Sequence, residues 1–342
     1  MSVEGRVEAE ALRLGFIGCG MIAKTHARAL TRMQGVEVAA LSDTNPQAIR
    51  GLKEAVPQLA SAREYSDYVE MLDREQLDGV LILTPHSLHL EQIKAALKRK
   101  LNILVEKPMV TSPAEAREVL RSLEGSGLVL CVGYQRRTDG LFRYVKDTAS
   151  DAGLGAPRYI EHQLSQDWTG LSRGSWRMDP RLSGGGFLMD SGSHIVDMVL
   201  WLMGGLPRRV YAVVRRDGFG VEVVSSVVAE SDGCVASISL MGDAPFWSER
   251  LRVYCPGGVV CYLDENQSRK VWAVDRSNRV MDASQSLPSS STPAENFVRA
   301  VRGLEAPAAG AREGLMVAEF TEACYRSAEA GEPVLLGDYP GP

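Results

Sequence analysis

Three residue types in this chain stand where they could act on one ligand oxygen and its proton. Leu104-Val105-Glu106-Lys107-Pro108 ends an apolar run in a lysine, and the proline after it stops the strand abruptly. A lysine there can bind and polarise a ligand oxygen, or stay solvated and paired to Glu106. Downstream, Ser183-Gly184-Gly185-Gly186 leads to Asp190 and His194. A helix expected from about Gly186 to Met203 would set both side chains on one face, where the carboxylate could orient the imidazole and stabilise its protonated form. Such a pair suits removal of a proton from an alcohol. Asp197 could touch the same face or lie exposed. A metal held by His194, Asp190 and Asp197 is the competing reading; no further histidine clusters nearby, and no metal site is expected.

A second constellation lies upstream, at Gly18-Cys19-Gly20-Met21-Ile22-Ala23. It follows an apolar run and opens a helical pattern, the setting that a dinucleotide-binding loop requires. Gly18 allows the tight turn, Gly20 lets the backbone through Met21 and Ile22 approach a pyrophosphate, and Ala23 keeps helix and strand close. Asp43 ends the second strand, where a carboxylate accepts hydrogen bonds from both ribose hydroxyls. A 2′-phosphate beside it would be repelled, and Thr44 and Asn45 bring no cation, so NAD is expected over NADP. Thr84-Pro85-His86 ends the fourth strand at the same edge, and His89 follows in the next helix. These residues are candidates for the wall beside the nicotinamide and its ribose. For both histidines a surface position or a contact at the helix N-terminus is the alternative.

The elements that must position these groups fall into two rhythms. Strands are predicted at Leu12 to Gly18, Val36 to Ser42, Gly79 to Thr84, Asn102 to Val105 and Leu128 to Gly133. Helical patterns starting near Met21, Pro46, Ser66, Ser87 and Pro113 alternate with them, which is the sequence form of a doubly wound parallel sheet. After Tyr134 comes a helical stretch to about Lys146, and then longer alternating strands. Those at Pro157 to Ser165, Arg208 to Arg216, Val221 to Glu230, Cys234 to Met241, Arg250 to Tyr254 and Val259 to Leu263 predict one mostly antiparallel sheet. Further helices start near Pro293 and Ala311, and Ser284 to Thr292 reads as a surface loop. The fold class expected is α/β, with a dinucleotide-binding domain over 11–134 and an α+β substrate-binding and oligomerisation domain over 135–342.

Composition narrows the partners. A net charge of -5 with 45% apolar residues gives no basic surface for nucleic acid and no sign of disorder. The first dozen residues, with Glu4, Glu8 and Glu10, lack an export pattern, and no apolar run reaches membrane-spanning length. Six scattered cysteines without CxxC spacing argue against a zinc site or a disulfide framework and fit a reducing cytoplasm.

Several motifs in order resemble the Gfo/Idh/MocA family, which includes glucose-fructose oxidoreductase and inositol 2-dehydrogenase. They are Gly15 to Ala23 with His26, Glu106-Lys107-Pro108, Gly133-Tyr134-Gln135-Arg136, Trp176-Arg177, Gly184 through Asp190 and His194, and the tail Tyr325 to Val334. The resemblance implies a Rossmann domain followed by a domain whose open sheet forms the homo-oligomer interface. It implies NAD(P) and a sugar or cyclitol meeting between the two. Lys107 would bind the reacting oxygen, His194 would take or return the hydroxyl proton, and Asp190 would orient that group or hydrogen-bond the substrate. Glu106 and Gln135 would lie by the cofactor, with Arg136, Trp176 and Arg177 by the substrate. For the last three, packing and ion pairing are the alternative. His86 departs from the asparagine common in the family.

The expected activity is reversible oxidation of a secondary hydroxyl. Two rivals are a glycosidase that cycles a tightly held NAD and a regulator that binds dinucleotide without turnover. The cluster Arg136, Arg137, Arg173, Arg177 and Arg181 would suit an anionic sugar, but a solvated loop is the commoner explanation, so neutral cyclitols and aldoses lead.

Overall fold

Short, mostly apolar strands alternating with helices build the first half of the chain. The computed structural model describes residues 11–150, 153–283 and 287–336. In order come β1 (Leu12–Ile17), α1 (Met21–Leu30), β2 (Val36–Ser42), α2 (Pro46–Ala55), β3 (Arg63–Tyr65) and α3 (Tyr68–Arg74). Then follow β4 (Gly79–Ile82), α4 (His89–Lys98), β5 (Asn102–Val105), α5 (Pro113–Leu123) and β6 (Leu130–Val132). Local chemistry starts several helices. Asn45 accepts from the Gln47 amide with Pro46 behind it, Asp67 accepts from the Val69 amide, and Ser112 and Glu115 form a capping box around Pro113. All six strands run parallel in the order β3-β2-β1-β4-β5-β6. The order reverses between β1 and β4, so a crevice opens at the carboxyl ends of the central strands.

The second half contributes α6 (Gly140–Thr148), β7 (Tyr159–Asp167), α7 (Trp168–Ser172), α8 (Pro180–Ser183) and α9 (Gly192–Met203). A run of strands follows: β8 (Arg209–Arg215), β9 (Val224–Ser231), β10 (Cys234–Met241), β11 (Asp243–Cys255), β12 (Gly258–Glu265), β13 (Ser268–Asp275) and β14 (Val280–Asp282). The last elements are α10 (Pro293–Val301), α11 (Ala311–Ala330) and β15 (Val334–Leu335). The strands form one sheet in the order β14-β13-β12-β11-β7-β10-β9-β8-β15, antiparallel throughout except where β7 meets β10. Alternation buries Val210, Val227, Ile238 and Leu251 against helices and leaves Tyr211, Val213, Val228 and Met241 exposed on the other face.

Two late helices tie the halves together. The α10 residues Ala294, Phe297 and Val298 share a core with Leu14, Phe16 and Leu104 of the first sheet. Helix α11 packs against α5 on one side and β8 and α9 on the other.

The structure departs from expectation at several elements. The helix predicted from Gly186 begins at Gly192, because Gly184 turns in the left-handed region at φ 74 and residues up to Asp190 form turns. Strand β11 starts well before the expected Arg250, and β3, β13, β14 and β15 were not anticipated. Three of those are two or three residues long, and β13 opens with Ser268, Arg269 and Lys270, so their apolar signal is weak. Of the expected loop Ser284 to Thr292, residues 284–286 lie outside the described residues, as do Glu4, Glu8 and Glu10; residues 287–292 carry neither helix nor strand. No helix among the described residues is long and apolar enough to cross a membrane.

Candidate active-site cleft

The glycine loop meets the physical demands of anion binding. Gly18 has φ +97, and a Cβ there would sit 2.8 Å from the Leu83 carbonyl. Around Gly20 a Cβ would find nothing within 4 Å, so its backbone is open to a ligand. Helix α1 starts at Met21 with neither a side-chain cap nor an acidic residue in its first turn, which suits its N-terminus to phosphate. Ala23 is fully buried against the strand. The Asp43 carboxylate ties this loop to β2: Oδ2 accepts from the Cys19 amide and Oδ1 from the Asn45 amide, both at 2.8 Å. Each oxygen keeps a further lone pair for ribose hydroxyls.

Beside the loop lies a cavity of about 340 Å³. The N-terminal half supplies Gly20, Met21, Ile22, Thr84, His86, Glu106, Lys107 and Gln135, and the second half supplies Trp176, Arg177 and His194. Lys107 Nζ donates to Asp190 Oδ1 at 2.6 Å and to the Asp190 carbonyl at 3.2 Å. Asp190 Oδ2 accepts from Trp168 Nε1 and Arg177 Nε, both at 2.8 Å. Burial alone would raise the Asp190 carboxyl, but the charges of Lys107 and Arg177 outweigh it and hold the group far below the usual carboxylate range. Asp190 is thus a fixed negative charge.

Glu106 does not pair with the Lys107 ammonium. Its Oε1 lies 2.8 Å from His26 Nε2 and its Oε2 accepts from the Lys107 amide at 3.2 Å. Burial would raise this carboxyl too, yet the bond and charge of His26 carry it below its ordinary value. His86 is pushed down to about 3, chiefly by burial. Its neutral ring donates from Nδ1 to the Ser183 carbonyl at 2.8 Å, with Nε2 3.7 Å from Asp190 Oδ1. The Trp176 ring meets His86 edge-on at 4.7 Å and carries the Arg177 guanidinium at 4.4 Å.

The expected Asp190–His194 pair on one helical face is not formed. Asp190 precedes the helix, with its amide on the Gly186 carbonyl, and both of its oxygens are taken by Lys107, Trp168 and Arg177. His194 Nδ1 is buried without a partner. Its pKa lies well below 6.5, first through burial and then through Lys107 and Arg136, which outweigh Asp190. The imidazole is neutral rather than held in its protonated form, and a neutral imidazole can receive a proton.

Other expected site residues lie elsewhere. His89 is fully buried, its nitrogens 3.0 Å from the Pro108 and Thr84 carbonyls, and does not line the cavity. Pro85 only precedes the short turn that carries His86. Arg136 is buried in a fork with Glu249 at 2.9 and 2.7 Å, and Glu249 also meets His162 Nε2 at 2.9 Å. Asp197 is not exposed; it is buried against Arg137 at 3.0 Å. Arg181 pairs with Asp179 at the surface, so Arg177 is the member of the arginine cluster that lines the cavity. Trp168 was missed, since nothing local marks an indole as the partner of a carboxylate 22 residues on. Among the described residues no group of three His, Cys, Asp or Glu is arranged to hold a metal ion.

A parallel sheet with a glycine-rich first turn and a charged cleft at its switch point defines a dinucleotide-dependent oxidoreductase. Residues 12–134 match the oxidoreductase family with an NAD-binding Rossmann fold, and residues 142–261 match the GFO/IDH/MocA C-terminal domain. The chain belongs to the Gfo/Idh/MocA oxidoreductases, and it is an enzyme of the dehydrogenase and reductase type that acts on CH–OH groups. It is 24% identical to the myo-inositol 2-dehydrogenase of Thermotoga maritima over 96% of this chain and 100% of that one. With an uncharacterized oxidoreductase of Bacillus subtilis it shares 30% identity over 58% of this chain and 55% of that one. The WlbA dehydrogenase from Bordetella pertussis, solved in complex with NADH and UDP-GlcNAcA, superposes with a TM-score of 0.81 at 24% identity, covering 96% of this chain and 99% of that one.

Proposed function

We propose that this protein reversibly oxidises a secondary hydroxyl of a sugar or cyclitol, with NAD preferred over NADP. The observation that carries the reading is the Lys107 ammonium fixed 2.6 Å from Asp190 in a cavity shared by the glycine loop and a neutral His194. Gly18, Gly20, Met21, Ile22 and Asp43 would hold the dinucleotide, with Thr84, His86, Glu106 and Gln135 around the nicotinamide. Bound there, the nicotinamide would supply the acceptor for the hydride of the carbinol carbon. Lys107 binds the hydroxyl oxygen and stabilises the negative charge that grows on it, while His194 takes the proton. Asp190 holds Lys107 in place, and Arg177 with Trp176 contacts the remainder of the substrate. Asp43 supports NAD, since Thr44 and Asn45 offer no cation to a 2′-phosphate.

The same reading divides the chain into a cofactor domain over 11–134 and a substrate domain over 135–342. The exposed row Tyr211, Val213 and Val228 supports the sheet face as a homo-oligomer interface, and Val228→Glu should lower the mass seen by light scattering.

The test is the near-ultraviolet absorbance of reduced nicotinamide, with NAD and then NADP, against inositols, aldoses, uronates and nucleotide sugars. Reduction of NAD by a cyclitol or neutral aldose supports the reading. No reduced cofactor from any class, together with sugar release from glycosides, would replace it with the redox-cycle glycosidase.

A further inference from the structure

The glycine triplet explains how Asp190 can be reached, but a glycine-rich turn has no rigidity of its own. Something must hold it, and the structure shows what does. Glu222 stands just before β9, 5% exposed between the buried Val221 and Val223. Its Oε1 accepts from the Gly186 amide at 2.6 Å, from the Tyr325 hydroxyl at 2.8 Å and, at longer range, from the Met189 amide at 3.5 Å. Its own carbonyl accepts from the Phe187 amide at 2.8 Å. One residue therefore grips three of the four residues from Gly186 to Met189 that lead into Asp190.

From this grip the geometry runs directly to the cleft. The Gly186 carbonyl receives the Asp190 amide at 2.9 Å, and the Phe187 carbonyl receives the Gly192 amide at 2.7 Å, where the helix bearing His194 begins. The other arm of the same segment supports Trp168. The Val223 carbonyl accepts from the Gly242 amide at 2.7 Å, and the Gly242 carbonyl accepts from the Thr169 amide at 2.9 Å, next to the indole that donates to Asp190. The close fit also accounts for two of the glycines. A Cβ on Gly186 would lie 2.1 Å from the Glu222 carbonyl oxygen, and one on Gly185 would lie 2.4 Å from the Tyr325 hydroxyl.

We propose that Glu222, seconded by Tyr325, is a positioning residue that sets Asp190, and through it Lys107, in the geometry hydride transfer requires. It touches neither substrate nor cofactor in this role, which rests on the function proposed above. Displacing a reacting group by an ångström costs roughly a hundredfold in rate even when the chemistry is intact.

The test compares wild type with Glu222→Ala, Glu222→Gln and Ser327→Ala. Ser327 lies on the same helix as Tyr325, and its hydroxyl bonds the Ala212 amide and the Glu332 carbonyl, away from the turn. Two readouts are taken: steady-state kinetics with NAD and myo-inositol or D-xylose, and amide hydrogen exchange over residues 184–192. Glu222→Ala is expected to lose roughly ten- to a hundredfold in kcat with little change in KM for NAD, while exchange across the turn speeds up. Glu222→Gln, which keeps an acceptor oxygen, should recover most of both, and Ser327→Ala should move melting temperature alone. The proposal is overturned if exchange at Gly186 and Met189 is unchanged in Glu222→Ala, or if Ser327→Ala lowers kcat as much. If wild type turns over neither sugar, the function proposed above fails on these substrates, and the exchange result alone decides whether Glu222 holds the turn.

Discussion

Asp190 is bonded to an ammonium, a guanidinium and an indole, and the charges of Lys107 and Arg177 hold its carboxyl far below the usual range, so it is a poor acceptor for a transferred proton. On the proposed mechanism it acts as a clamp, and proton movement falls to His194. Lys107→Met should then cut kcat by at least about a hundredfold, the range lost when a donor to a growing oxyanion is removed, while the Kd for NAD measured by fluorescence stays near wild type. A variant with near-normal turnover would sink the assignment. His194 yields a pH prediction with a definite sign. Its pKa is lowered well below 6.5, so a base of this kind stays unprotonated as pH falls through 6.5. The acid limb of kcat/KM should therefore lie below pH 6.5, and a limb centred at or above that value would exclude neutral His194 as the base.

Elements show why some of these residues could be picked out from the chain alone and others could not. The glycine loop, Asp43, Lys107, Asp190 and His194 lie in short motifs next to a strand end or a turn, so local spacing carries the information. Arg136 is different. Its motif left it open between a substrate contact and an ion pair; the structure shows the ion pair, whose partner Glu249 lies 113 residues away on β11, and no local pattern could name that partner. Asp197 was misjudged for the same reason, with Arg137 60 residues away. His89 sits at the expected helix start, yet its ring turns inward to two carbonyls rather than toward the cleft. The burial of Arg136 makes its consequence one of stability. Arg136→Ala would leave Glu249, held down to about 2 chiefly by Arg136 against the effect of burial, without its fork. Urea unfolding should show a loss of about 3–5 kcal/mol, with little change in substrate KM. A large rise in KM at unchanged stability would restore the substrate role.

At the scale of the whole molecule, four of the five histidines share one property. His86, His89, His162 and His194 all have pKa values lowered below 6.5, in each case first by burial. The unfolded chain binds protons at these sites that the folded chain refuses, so their contribution is fully present above pH 6.5 and is lost as pH falls below it. Each takes away up to about 1.4 kcal/mol per pH unit, and for His86 the loss continues to about 3. Melting temperatures should drop between pH 7 and pH 5; a flat profile would mean that these rings are not desolvated as described. The placement of α10 has another consequence, one of timing. Phe297 and Val298 close a core whose other walls, Leu14, Phe16 and Leu104, belong to the first strands made. A ribosome needs roughly ten to thirty seconds to add the residues between Val132 and Val301. Until α10 is made, the apolar wall of the cofactor half that it covers has no partner from this chain, so the closing of that core waits on the order of the sequence.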